Sequence, residues 1–140
     1  MTGKPLRPVP VPTALTEPFW AAARGRKLAI QQCLPCRRYN HPPLPMCPQC
    51  HSTRLAFQAV TGRGSVYEYT IMRDYRVQGF QDAIPYACVA VELDEQPGLL
   101  VVGNLVEAPV DQARVGLPVE VTFEELGDGF LLPQFRPRGG

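Results

Sequence analysis

Four cysteines in a short stretch are the residues whose types and spacing could do chemistry. They form two Cys-x-x-Cys pairs, Cys33 with Cys36 and Cys47 with Cys50, and ten residues separate the pairs. Each such pair is typical of a tight turn whose backbone N–H groups point at the sulfurs. Two turns of this kind bring four thiolates together as a tetrahedron, which is the geometry that Zn²⁺ accepts. The spacing therefore predicts a structural zinc site.

Other chemistries of paired cysteines fit the surrounding sequence less well. Iron can occupy the same sulfur cage, and nothing in the sequence excludes it. A thioredoxin-type redox pair requires a βαβ context, and the flanking pattern does not have one. A disulfide framework is typical of secreted chains, whereas thiols stay reduced in the cytosol. Zinc is the expectation, and iron is the alternative.

The predicted metal site is closed. Catalytic zinc keeps an open coordination position and usually includes His or carboxylate ligands, but four thiolates fill the shell. The two histidines, His41 and His51, both lie in this segment, and His51 follows Cys50 directly as the alternative ligand. Cys88 stands alone in a strand-like run and is interpreted as a small core residue. We expect the metal to stabilise the fold and to do no chemistry.

No other grouping of residues in the sequence resembles an active site. The sequence lacks a Ser-His-Asp order and a G-x-S-x-G elbow. Carboxylates cluster near predicted strand ends, where solvated side chains are a simpler interpretation than paired catalytic acids. These carboxylates belong to Glu92, Asp94, Glu95, Glu124 and Glu125. We therefore expect a chain that is not an enzyme by itself.

One short helix and a series of short strands must position the cysteines. Thr16, Glu17 and Pro18 are typical of a helix start, and Gly25 is typical of a helix end. Strand-like runs bounded by turn residues follow along the chain. These runs cover residues 28–32, 55–60, 65–72, 86–94, 99–106, 119–126 and 130–135.

The pattern predicts a mainly β fold: an N-terminal helix and zinc ribbon followed by a small five-stranded OB-type Greek-key barrel. About five strands with regularly spaced turns in roughly 80 residues are typical of such a barrel. The predicted organisation is a Pro-rich arm at 1–14, a helix at 15–27, a zinc ribbon at 28–54 and the barrel at 55–140. The arm is expected to be extended or disordered by itself.

The charges are unevenly distributed although the net charge is +1. Residues 1–63 contain nine Lys or Arg and one acid, giving +8, whereas residues 64–140 carry −7. This asymmetry indicates either an anionic partner for the basic half or two halves that neutralise each other. No signal-peptide pattern and no apolar run of about 20 residues is present. We expect a cytoplasmic protein without a membrane segment.

The order of several motifs carries a family resemblance over nearly the whole chain. A Phe-Trp helix precedes the ribbon CLPCRRYNHPPLPMCPQCHS, which is followed by GRGSVYEYTIM, PYACVAVELD, LLVVGNLVEA and a terminal LPQFRP. In this order the chain resembles the acyl-CoA-associated family with a rubredoxin-like zinc ribbon followed by an OB-fold. That family was formerly described as a domain of unknown function.

The resemblance implies an accessory subunit. Family members assemble with thiolase-superfamily enzymes, including thiolases, acyltransferases and steroid side-chain aldolases, and the partner carries the catalytic groups. A hetero-oligomer with a shared acyl-CoA ligand is thus implied. Because arginine forks match phosphate geometry, Arg37, Arg38 and Arg63 are the candidates for contacts to CoA. The alternative is that each is an ordinary surface or interface arginine.

The competing class is a single-stranded nucleic-acid-binding protein. Zinc ribbons and OB barrels both bind single strands with a basic groove and stacked aromatic rings. Tyr67, Tyr69, Tyr75 and Phe80 are the candidate stacking residues. The charge of −7 on the half that contains the predicted barrel would repel phosphates, so we expect no nucleic-acid partner.

Overall fold

The structure is a computed structural model that describes residues 7–127 and 129–139. The described part contains one α-helix, eight strands and one short 3-10 helix, Val110–Gln112. The elements are α1 (Glu17–Arg24), β1 (Leu28–Cys33), β2 (Tyr39–Asn40), β3 (Leu55–Val60), β4 (Arg63–Met72), β5 (Tyr86–Leu93), β6 (Leu100–Leu105), β7 (Pro118–Glu125) and β8 (Leu131–Pro137). None of the described helices is long and apolar enough to cross a membrane.

Two threonines organise the start of α1. The Thr13 N–H donates to Thr16 Oγ1 at 2.9 Å, and the Thr16 N–H donates to Thr13 Oγ1 at 3.2 Å. Thr16 is the N-cap residue, as predicted, although its side chain does not cap the helix itself. Gly25 follows the last helical residue, but its φ is −92°, and the left-handed residue is Arg26 at φ 59°. The turn after the helix therefore depends on Arg26.

A three-stranded antiparallel sheet, in the order β2-β1-β3, carries the cysteines. Its longer ladder pairs Leu28 with Val60 at one end and Cys33 with Leu55 at the other. The expected boundary had assigned residues 55–60 to the barrel, but here they form the ribbon strand β3. The strand length and apolar pattern of this run do not specify its partner, because pairing with β1 is a long-range choice.

The five remaining strands form a closed barrel in the order β4-β5-β6-β8-β7. β7 returns to pair with β4, and β6 and β8 pair in parallel. Side chains along β5 alternate between the barrel interior and the outside, with Ala87, Val89, Val91 and Leu93 buried. This connectivity confirms the predicted OB-type fold, with five barrel strands after the ribbon.

The ribbon and the barrel share one hydrophobic core. Leu28 and Ile30 of β1 and Phe19 of α1 join barrel residues such as Val119 and Phe135 in a single buried cluster. Fully burying an aliphatic or aromatic side chain contributes about 1.5–3 kcal/mol. The metal-binding segment is therefore fixed to the barrel by packing rather than attached through a flexible linker.

The connection between β3 and β4 is a tight joint at Gly62. This residue has φ 78°, and a Cβ added there would collide with the Val121 side chain. The Gly62 carbonyl accepts a hydrogen bond from the Val121 N–H at 2.8 Å. A left-handed residue without a Cβ is required at this position, which keeps the ribbon close against β7.

Candidate metal centre

The two Cys-x-x-Cys turns have the same backbone hydrogen-bond pattern. In the first turn the Arg37 N–H donates to Cys33 O at 2.8 Å, and in the second the His51 N–H donates to Cys47 O at 2.9 Å. The N–H of Cys33 donates to Arg38 O, and the N–H of Cys47 donates to Ser52 O in the same way. Each pair thus forms the tight turn that its spacing predicts, and the two turns face each other.

The residue after each turn has a left-handed backbone. Arg37 has φ 69° and His51 has φ 65°. Residues other than glycine adopt this conformation at a cost of about 1 kcal/mol or more, so the surrounding turn must enforce it. The His51 backbone closes the second turn, and the cluster of possible ligand atoms consists of the four cysteine sulfurs.

The four sulfur atoms fit a tetrahedral metal ion. All four Sγ atoms lie within 4.8 Å of one another. The Cys33–Cys50 Sγ distance is 3.4 Å, and the Cys36–Cys47 Sγ distance is 3.7 Å. Zinc–sulfur bonds of about 2.3 Å in a tetrahedron place sulfurs about 3.8 Å apart. The donor set and its spacing therefore suit Zn²⁺, with Cys33 and Cys47 buried and the other two exposed.

Backbone N–H groups, burial and neighbouring thiols shift the pKa values of Cys33 and Cys47 in opposite directions. Backbone N–H donation by Cys50, supplemented by Gln49, lowers the pKa of the Cys47 thiol to about 6. The Cys36 N–H also lowers the pKa of Cys33, but burial and the three neighbouring thiols outweigh it and raise that pKa to about 12. A bound cation would offset the mutual repulsion of thiolates held this close together.

His41 belongs to the packing of the helix. Its imidazole stacks on Phe19, with 5.5 Å between ring centroids and 28° between ring planes. Burial lowers the pKa of His41, and within the described part of the chain its buried Nδ1 atom has no hydrogen-bond partner. The contact arises because the segment between the cysteine pairs folds back onto α1. A neutral, half-buried imidazole is the result.

Two glutamines that the sequence analysis missed hold this segment in place. Gln31 donates from Nε2 to Leu44 O at 2.8 Å and accepts from the Leu44 N–H at 3.1 Å. Gln96, in the turn between β5 and β6, makes the same pair of bonds to Tyr39 at 3.0 and 2.8 Å. A glutamine in a strand or turn has no sequence pattern that announces such a role.

Of the three arginines predicted to contact CoA, one lines a hollow on the protein surface. Arg37 and Arg38 are adjacent and exposed, and Arg38 lines a hollow of about 200 Å³ between the ribbon segment and the β5–β6 turn. Asn40 also lines this hollow, and its buried Nδ2 atom has no hydrogen-bond partner among the described residues. Arg63 is exposed at the first residue of β4 and does not line the hollow.

Three of the clustered carboxylates, Glu92, Glu95 and Glu124, accept hydrogen bonds from turns and strands. Glu92 accepts a hydrogen bond from the Gly98 N–H at 2.9 Å, and Glu95 accepts one from the Thr61 N–H at 2.8 Å. Glu124 accepts from Gln134 Nε2 at 2.9 Å and pairs with Arg7 at 3.3 Å. These contacts give Glu92, Glu95 and Glu124 a structural role in turns and strands.

The outer face of the barrel is apolar and hollow rather than basic. Val102 on β6 is 66% exposed and borders three adjoining hollows of about 260, 300 and 210 Å³. Of the candidate stacking residues, Tyr67, Tyr69 and Tyr75 are exposed, while Phe80 lies under the Arg7 guanidinium at 5.0 Å. Glu68 stands between the first two tyrosines and would repel a phosphate backbone.

Comparison with known proteins identifies both parts of the chain. Residues 20–56 match the family model described as "ChsH2, rubredoxin-like zinc ribbon domain". Residues 57–124 match the one described as "ChsH2, C-terminal OB-fold domain". The two matches adjoin at residue 56, whereas the strand pairing extends the ribbon sheet to Val60.

Three curated relatives share this region. A probable enoyl-CoA hydratase alpha subunit of Thermomonospora curvata is 36% identical over 96% of this chain, and the 3-oxo-4,17-pregnadiene-20-carboxyl-CoA hydratase alpha subunit of Mycobacterium tuberculosis is 29% identical over 81%. The chain spans 41% and 35% of those two proteins. A DUF35 domain-containing scaffold protein of Pyrococcus furiosus is 30% identical over 69% of this chain and 73% of its own length.

A solved structure matches the fold closely. A chain of the "Ltp2-ChsH2(DUF35) aldolase" superposes with a TM-score of 0.83 and 34% sequence identity. The match covers 92% of this chain and 98% of that chain. The similarity therefore includes the ribbon, the barrel and their relative placement.

Proposed function

Because the chain belongs to the ChsH2/DUF35 family of zinc-ribbon and OB-fold proteins, we propose that it is a non-catalytic accessory subunit. Its partner is a thiolase-superfamily enzyme that processes acyl-CoA, and the two form a hetero-oligomer. The proposal rests on the structural match to a chain of the "Ltp2-ChsH2(DUF35) aldolase", a name that joins two components. The match covers 98% of that chain. The thiolase-superfamily assignment of the partner is part of the proposal.

The chemistry of the chain supports an accessory role. Four thiolates saturate a zinc ion, so no position is left for a water or a substrate carbonyl. The zinc stabilises the two turns and the segment between them, and the enzyme subunit supplies the catalytic groups. The hydratase names of two relatives belong to proteins of which this chain spans less than half, so hydratase activity is not carried over.

We further propose that the ribbon helps to shape the acyl-CoA site of the complex. Arg38 lines the hollow that contains Asn40, and the exposed Arg37 precedes it in the chain. Their guanidinium groups and the Asn40 amide suit a phosphate or carbonyl oxygen of the ligand. Arg63 lies on a different element and would contact CoA through a separate oxygen. A zinc site of four reduced cysteines would suit a cytoplasmic location, where thiols stay reduced.

Co-purification tests the proposal. The full chain, expressed with an affinity tag in its native host, is isolated and its bound proteins are identified by mass spectrometry. We expect a thiolase-superfamily enzyme in stoichiometric amount with the wild-type chain and with Cys88→Ser, but not with Cys47→Ser. A wild-type chain that binds no such enzyme, or tight salt-sensitive binding of single-stranded DNA by the purified chain, would overturn the proposal.

A further inference from the structure

One edge of the ribbon sheet has no partner strand. β3 pairs with β1 along one side, and within residues 7–127 and 129–139 no strand pairs with its other side. The strand has the sequence LAFQAV, without a charge or a proline. Proteins usually protect such edges with lysine, proline or a bulge, because an open edge can pair with another chain. Strand β3 contains none of these features, so its edge is open to pairing.

The hydrogen bonds of β1 determine which backbone groups face the open edge. The Cys33 N–H donates to Arg38 O on the β2 side, and the Leu34 N–H donates to Arg54 O on the β3 side. Alternation along antiparallel strands extends this pattern through both ladders. The β3 residues directed toward β1 are therefore Ala56, Gln58 and Val60. Those directed toward the open edge are Leu55, Phe57 and Ala59.

The open part of the edge has a defined end. The next outward-facing N–H belongs to Thr61, and it donates to Glu95 Oε2 at 2.8 Å. The carboxylate of Glu95 thus closes the edge after Ala59. An added strand would pair with residues 55–59, where three N–H groups and three C=O groups alternate. This length fits a short extended segment rather than a whole sheet.

Exposed cations outnumber acids at the two ends of β3, although Asp94 and Glu95 also lie at the Val60 end. Arg54 and Arg63 are exposed on either side of β3, and Arg26 and Lys27 precede β1 beside the Val60 end. None of these four cations belongs to an ion pair among the described residues. Complementary charge favours an occupant whose flanking residues are acidic, and it disfavours an occupant that is itself basic.

We propose that the open edge of β3 binds an extended, acid-flanked segment of the enzyme subunit, which adds to the ribbon as a fourth strand. Main-chain hydrogen bonds to Leu55, Phe57 and Ala59 supply the affinity, and the cations fix the orientation. The inference rests on the proposed function, since it locates the contact with that partner. A second copy of the chain would bring the same basic residues to the edge.

Hydrogen exchange of individual amides tests the proposal directly. In the isolated chain, the amides of Leu55, Phe57 and Ala59 should exchange much faster than those of Ala56 and Gln58. In the complex with the enzyme identified by co-purification, exchange at the first three should slow at least about 10-fold. Slowing that appears with rising concentration of the chain alone would mean self-pairing and would overturn the proposal.

A matched pair of substitutions at one exposed position provides a second test of the proposal. Ala59→Pro removes the outward N–H, whereas Ala59→Val keeps it and remains a good strand residue. Loss of one such hydrogen bond should weaken binding of the enzyme about 10-fold for Ala59→Pro and leave Ala59→Val within about twofold. Zinc content checks that both variants fold. If a variant does not fold, hydrogen exchange in the wild-type complex still tests the proposal.

The outcomes separate the two proposals. If the wild-type chain binds no thiolase-superfamily enzyme, the proposed function fails. If the complex forms but the three amides stay unprotected, or Ala59→Pro binds as tightly as Ala59→Val, the edge is not the contact. In that case the proposed function stands and the partner docks elsewhere.

Discussion

The side chain of Gln96 holds both backbone groups of Tyr39. Its Oε1 accepts from the Tyr39 N–H at 2.8 Å, and its Nε2 donates to Tyr39 O at 3.0 Å. Gln96 lies in the barrel turn between β5 and β6, and Tyr39 begins the ribbon strand β2. One amide therefore links the metal-binding segment to the barrel, in the way that Gln31 links to Leu44 within the ribbon.

Replacing Gln96 should loosen this link. Gln96→Ala leaves the half-buried N–H and C=O of Tyr39 unpaired, and we expect it to lower the free energy of unfolding by about 1–3 kcal/mol. Gln78→Ala, at an exposed loop glutamine, is the matched control and should change it by less than about 0.5 kcal/mol. Urea unfolding measures both, and equal effects would contradict the role of Gln96.

The left-handed backbone at Arg37 predicts an unusual substitution pattern. Arg37→Gly should leave the free energy of unfolding unchanged within about 0.5 kcal/mol or raise it, because glycine adopts φ 69° without strain. Arg37→Val should lower it by about 1–2 kcal/mol, because a β-branched residue is poorly tolerated there. Thermal unfolding of the zinc-loaded chain compares them, and a glycine variant less stable than the valine variant would refute the assignment.

His41 should make stability depend on pH. Burial lowers the pKa of His41 from its ordinary 6.5, so the unfolded chain takes up this proton at a higher pH than the folded chain. The contribution of His41 is therefore complete above about pH 6.5 and is lost as the pH falls through the folded pKa. The stability difference between the wild-type chain and His41→Phe should shift in favour of the variant below about pH 6.

The variant also removes other sources of pH dependence from the comparison. Proton competition at the four cysteines affects both chains and cancels in the difference, and the phenylalanine retains a ring to stack on Phe19. A wild-type-minus-variant difference that stays constant from about pH 8 to about pH 5 would show that His41 does not titrate differently on folding.

Removal of one ligand should release the metal. Cys47→Ser takes a buried thiolate from the site, and we expect bound zinc to fall from about one ion per chain to nearly none, with loss of ribbon structure. Cys88→Ser changes a half-buried cysteine outside the cluster and should keep full zinc content. Elemental analysis after dialysis measures the zinc content of both variants. Iron in place of zinc in the wild-type chain would show that the site binds iron.

The parts of the fold that depend on local sequence could be predicted. The Cys-x-x-Cys turns need no distant partner, so their spacing was sufficient, and turn residues marked the barrel strands within a few positions. Long-range choices could not be read in this way. LAFQAV is equally suited to the ribbon or the barrel, and its pairing with β1 appears in the structure alone.

The candidate site shows the same division. Four cysteines with fixed spacing predict a metal site. Gln31 and Gln96 bind backbone groups of distant residues, and no sequence pattern predicts such contacts. His41 could be recognised neither as buried nor as stacked on Phe19, because this depends on how the segment folds back. The role of Arg37, Arg38 and Arg63 toward CoA stays a prediction, since a surface arginine has the same appearance whichever ligand it meets.

Acyl-CoA turnover by reconstituted components tests the central claim most directly. The purified chain alone, the co-purifying enzyme alone and their equimolar mixture are assayed with the acyl-CoA that the enzyme accepts. An accessory subunit predicts no turnover by the chain alone and more turnover by the mixture than by the enzyme alone. Turnover by the isolated zinc-loaded chain, or a mixture no more active than the enzyme alone, would contradict the account.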